Sequence, residues 1–158
     1  MKTIRLCTGL LRRGSDVLLA RCRYDGEPQP LWVLPGGRQE DGETIAQAVI
    51  REFREESSLA IRIDELAYVS ESIDIPRELH VVNCTFLVSE RDAHAPQPVP
   101  RDEKVVEVRF VPAADAPALL AADVLRVPVA AALSGDPHPR YFAFAASDVA
   151  VPFFGRTG

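Results

Sequence analysis

The sequence predicts an α/β fold, a mixed β-sheet sandwiched between helices in an α/β/α arrangement. Three observations carry this. Short apolar runs closed by Gly, Pro or Asp recur along the chain, as strands closed by turns do. One segment, opening at Thr44, changes from strand-like to helical period. Helical character returns near the C-terminus, so a sheet has helices available to cover it. At 158 residues, 47% of them hydrophobic, the chain can bury one substantial core, and a single domain over residues 1–158 is expected.

Thr3 to Leu11 and Asp16 to Arg21 are apolar runs separated by Arg13-Gly14-Ser15, a pattern for two strands and a turn. Tyr24 to Pro30 is loop by composition, and Leu31 to Leu34 reads as a strand stopped by Pro35-Gly36-Gly37. From Thr44 the residues Ile45, Ala46, Val49, Ile50 and Phe53 share one side of a helix, and Thr44 with Gln47 fits a capping box at its start. The helix should end near Ser57-Ser58. Ile61 to Ile63, Leu66 to Ile75, His80 to Ser89 and Lys104 to Val111 read as strands. The prolines of Arg91 to Asp102 enforce an extended loop. Asp115 to Ala122 and Val127 to Leu133 are short helical pieces, and the aromatic tail from Gly135, with Tyr141, Phe142, Phe144, Phe153 and Phe154, is read as ending in a strand.

Acids outnumber bases by 23 to 18, giving a net charge of -5, which argues against broad electrostatic attachment to long nucleic acids or anionic membranes. No run approaches the ~18 apolar residues of a membrane span, and the N-terminal stretch has no signal-peptide pattern. Cys7, Cys22 and Cys84 form no CxxC pair, so free thiols and a cytoplasmic location are expected.

The informative stretch is Gly37 to Leu59. At about 100° per residue the apolar stripe sweeps roughly 140°, and Glu52, Glu55 and Glu56 occupy a neighbouring arc of roughly 100°. Three carboxylates on one face repel one another by a few tenths of a kcal/mol per pair, and Arg51 cannot neutralise all of them. An acidic helix face is ordinarily just solvated. Here the acidic arc abuts the buried stripe, so Glu56 should be partly desolvated, and a Gly-Gly turn precedes the helix. Hard oxygen donors so clustered suit Mg²⁺, which binds a few carboxylates, retained waters and substrate phosphates.

Gly37, Glu43, Arg51-Glu52, Phe53, Glu55-Glu56 and Leu59 closely resemble the Nudix box, G-x5-E-x7-R-E-U-x-E-E-x-G-U, and the preceding Leu34-Pro35-Gly36 and Trp32 are also usual there. The departure is Ser58, where that pattern has glycine. If the position keeps a left-handed backbone, serine should cost on the order of 1 kcal/mol.

The resemblance implies a hydrolase, using Mg²⁺ or Mn²⁺, that cleaves the pyrophosphate bond of a nucleoside diphosphate linked to another moiety. It implies metal held by Glu52, Glu55, Glu56 and the Gly37 carbonyl, with Arg51 orienting the carboxylates and Glu43 tying the loop to Arg51. Glu52 is the first choice for the base that activates water. The family often takes a further acid from a later loop, and Glu103 is the candidate here. A catalytically weak nucleotide-binding sensor of the same fold is the alternative. The expected partner is a small nucleotide, with no long nucleic acid and no membrane, and a homodimer stays open because dimers are common in the family. Substrate choice lies outside the box. Trp32, Tyr24 and Phe86 are candidate base-stacking aromatics, and Pro76 lies near where ADP-ribose-hydrolysing members carry a proline. Each is as readily an ordinary core or turn residue.

Overall fold

β1 (Lys2–Arg13) and β2 (Asp16–Cys22) form the expected hairpin, turning at Gly14, whose φ of 60° suits glycine. They belong to a computed structural model that describes residues 1–93, 97–135 and 137–144. β3 (Leu31–Val33) follows, and then β4 (Gly36–Arg38), a short strand where composition suggested only a turn. The glycines permit it because β4 lies against β1 so closely that a Cβ on Gly36 would stand 2.3 Å from the Cys7 carbonyl oxygen. After α1 (Ile45–Ser57) come β5 (Ile61–Asp74), β6 (Leu79–Glu90) and β7 (Val105–Pro112). The two strand segments read before and after residue 64 are one strand, kept continuous by register shifts between Ile63 and Glu65 and between Leu66 and Tyr68. α2 (Ala116–Leu119) is shorter than expected. α3 (Asp123–Leu133) starts earlier than expected and carries Pro128 inside it. β8 (Tyr141–Phe144) is the tail strand; Phe153 and Phe154 lie outside the described residues.

The strands make one eight-stranded mixed sheet in the order β3-β2-β1-β6-β5-β8, with β4 also on β1 and β7 also on β2. β1 runs parallel to β6 and β5 parallel to β8, and the other pairs are antiparallel. Alternation along β1 divides the core. Cys7 and Leu11 face α1 and pack with Val49, Phe53 and Ile61. Leu10 points the other way, into a cluster with Tyr68, Ala116, Leu120 and Val129 that seats α2 and α3. Helices thus cover both faces of the sheet. No helix among the described residues is long and apolar enough to cross a membrane.

Candidate active site

The site is organised from the start of α1. Thr44 accepts the Gln47 amide at 3.2 Å while the Gln47 side chain accepts the Thr44 amide at 2.8 Å, so the helix begins at a fixed residue. Two turns later Arg51 projects toward the loop before the helix. Its Nε and Nη2 donate to the two oxygens of Glu43 at 3.0 and 2.7 Å, and its Nη1 donates to Glu52 at 2.9 Å and Glu55 at 3.4 Å. Nη2 also reaches the Arg38 carbonyl at 3.1 Å, which ties the helix to β4. The planar fork is what lets one side chain do this; an ammonium could not match it. Glu43 further accepts the Glu40 amide at 2.7 Å, and these bonds, Arg51 first, hold its carboxyl down to about 2.

Glu52 and Glu56 lie on the inner side of the same helix. Burial, chiefly, raises both carboxyls above the ordinary range, and for Glu56 the neighbouring Glu52 charge adds to it. Glu56 is 5% exposed. Its Oε1 accepts the Gly36 amide at 3.2 Å, while its Oε2 is buried with no hydrogen-bond partner among the described residues. Gly37 is the floor beneath the pair, where a Cβ would stand 2.4 Å from Glu52 Oε1. Two partly desolvated carboxylates, one with an orphaned oxygen, beside a bare backbone form a donor set that fits a hard divalent cation.

The expected acids are not all brought together. Glu52, Glu56, Gly37 and Glu103 line one cavity of about 690 Å³, but Glu55 does not. It turns outward to Arg51, with its side chain 49% exposed. Among the described residues no group of three or more His, Cys, Asp or Glu side chains is arranged to hold a metal ion. Asp102, passed over in favour of its neighbour, also lines the cavity, and its charge is among those that hold the Glu56 proton. It is half-buried whereas Glu103 is exposed. Two adjacent acids in a loop carry no local sign of which one is the more buried.

Beyond the acids, the cavity has a polar wall and an apolar one. Thr8, Asn83 and Thr85 close a ring of hydrogen bonds of 2.7 to 3.1 Å between β1 and β6, and the Tyr68 hydroxyl joins at Thr85. Leu120, Val124 and Val129 supply apolar lining. Tyr24 lines this space, whereas Trp32, Phe86 and Pro76 do not. Trp32 instead stacks beneath the Arg109 guanidinium at 4.9 Å. Phe86 packs in the core under α1.

A family model described as NUDIX domain matches residues 3–132. The chain belongs to the Nudix family. Among its curated Nudix-type relatives, an ADP-ribose pyrophosphatase of Methanocaldococcus jannaschii is 32% identical over 80 residues, 51% of this chain and 47% of that protein. An RNA pyrophosphohydrolase of Agrobacterium fabrum is 40% identical over 73 residues, 45% of this chain and 42% of that one. The matched stretch thus spans about half the length of these curated relatives. Among solved structures, a NUDIX hydrolase from Nitrosomonas europaea superposes with a TM-score of 0.69 at 21% identity, covering 92% of this chain and 79% of its own. A MutT NUDIX hydrolase from Burkholderia pseudomallei gives 0.69 at 23% identity, covering 82% and 98%. The Nudix fold is shared with both.

Proposed function

We propose that this Nudix protein hydrolyses the pyrophosphate bond of a nucleoside diphosphate joined to another moiety, with Mg²⁺ or Mn²⁺ as cofactor. The orphaned, buried Oε2 of Glu56 beside Glu52 carries this reading, because two such carboxylates are costly to the fold unless a cation answers them. Glu52, Glu56 and the Gly37 backbone would hold the metal, joined by Glu55 on rotation away from Arg51. A divalent ion there would neutralise the diphosphate and polarise its phosphoryl oxygens.

The chain's own groups do the rest. Arg51 holds one oxygen of Glu52 and so sets the direction of the other. Glu52, its carboxyl raised by burial and so a stronger base than an exposed glutamate, is the group placed to take a proton from attacking water. Glu43 keeps Arg51 in place. The cavity beyond, polar at Asn83 and apolar at Leu120 and Val124, has room for the nucleoside.

The test is a turnover screen with Mg²⁺ over nucleoside triphosphates, ADP-ribose, sugar nucleotides and dinucleoside polyphosphates. Release of a nucleoside monophosphate or phosphate is expected, and Glu56→Gln should reduce it by on the order of 100-fold or more. Tight nucleotide binding with no turnover would replace the enzyme by the sensor reading.

A further inference from the structure

Ser58 is the residue at which the chain departs from the Nudix box, and the structure supplies a use for it. It ends α1 in the left-handed conformation, with φ 64°, a geometry that glycine adopts without strain and serine does not. A serine held there needs something in return. Its hydroxyl donates to the Val99 carbonyl at 2.6 Å, across 41 residues of sequence. The contact is one of a set. The Val99 amide donates to the Ser57 carbonyl at 2.9 Å, and the Arg101 amide donates to the Glu55 carbonyl at 3.1 Å. Residues 99–101 therefore satisfy carbonyls that the last turn of α1 would otherwise leave unpaired.

The residue after Arg101 is Asp102, and it lines the cavity that holds Glu52 and Glu56. On its far side the segment is also pinned, because the Lys104 amide donates to Asp102 Oδ1 at 2.9 Å and the Lys104 carbonyl accepts the Arg23 amide at 2.8 Å. Residues 99–104 are thus held at both ends. Only the Ser58 hydroxyl among these contacts comes from the side chain of the residue that caps α1, and a glycine at that position would lack it.

Resting on the metal-dependent reading above, we propose that Ser58 is a positioning residue whose hydroxyl latches residues 99–101 onto the end of α1 and so presents Asp102 to the Glu52–Glu56 pair as a further acid of the cation site. Ser58 itself touches neither metal nor substrate. It acts through the loop.

The experiment titrates the full-length protein with Mn²⁺ alone, reading free Mn²⁺ by electron paramagnetic resonance, and records melting temperatures in parallel. Ser58→Gly relieves the left-handed strain while deleting the hydroxyl, so the fold should melt no lower than wild type. Mn²⁺ affinity should fall about fivefold, the equivalent of one net hydrogen bond. Asp102→Asn should weaken Mn²⁺ binding as well, and adding Ser58→Gly to it should have no further effect, since the latch would then have no carboxylate to present. Wild-type affinity in Ser58→Gly, or a loss that adds in full to that of Asp102→Asn, would overturn the latch while leaving the metal-dependent reading intact. A wild-type protein that holds no Mn²⁺ would overturn both.

Discussion

Arg51 and Glu56 show two ways in which a single residue serves the site. Arg51 satisfies five acceptor atoms at once, and its ion pair with Glu43 is a stabilising contact that depends on Glu43 being ionised. Because that carboxyl is held at about 2, below its ordinary 4.5, the contribution is fully present above pH 4.5 and is lost as the pH falls toward 2. Thermal melts of wild type and Glu43→Gln should therefore differ at pH 6 and converge near pH 2; a gap that does not change with pH would show that the pair adds nothing through charge. Glu56 has the opposite sign. Its raised carboxyl makes the ionised form unwelcome in the fold, so the cost appears as the pH rises above the ordinary value. Glu56→Gln should melt higher than wild type at pH 8, with the advantage shrinking toward pH 4, even as turnover disappears. The same substitution would then strengthen the molecule and disable it, as expected where function imposes strain on stability.

At the scale of elements, α1 and β4 hold the site between them. α1 was legible from its apolar period and its Thr44–Gln47 cap, and the structure reproduces both. β4 was not, because three residues containing two glycines carry no alternation to read, and its strand character comes from pairing with Leu6, Cys7 and Thr8 far away in sequence. On the proposed function, Gly37 is the position of β4 that bears on the cation site, because it stands against Glu52. In Gly37→Ala the new methyl would meet the flexible end of Glu52 and not rigid backbone, so the side chain yields and the fold survives. We expect the melting temperature to stay within a few degrees of wild type while metal-dependent turnover drops at least tenfold; measuring the two together separates displacement of Glu52 from simple unfolding. The loop before β7 marks the same limit of sequence reading. Its acids were visible, but that both Asp102 and Glu103 reach the cavity, Asp102 the more buried, depends on contacts with the end of α1 that lie some 40 residues away.

Across the whole molecule, the sheet is the common wall of two cores, and each face depends on the side-chain alternation of β1. Gly9 lies on the α1 face, where a Cβ would stand 2.4 Å from the fully buried Phe53 ring. Phe53→Ala should cost about 3–5 kcal/mol and Gly9→Ala about 1–3 kcal/mol, both measurable by urea unfolding with an unchanged m-value if the fold is otherwise intact. The fold class and the helices' coverage of the sheet followed from the run of apolar segments. Partner choice did not, since nothing local in β1 says that it pairs in parallel with β6 over ten positions, from Lys2 to Leu11. That pairing has a consequence for how the chain is made. β1 is made before every strand it pairs with, and its longest partner, β6, comes last among them, ending at Glu90. Until then β1 can only pair with β2 and β4, and the wall beneath α1 stays incomplete. Non-local parallel contacts of this kind slow folding, so β1 waits for β6, and synthesis that stalls before β6 would leave an apolar edge exposed to chaperones.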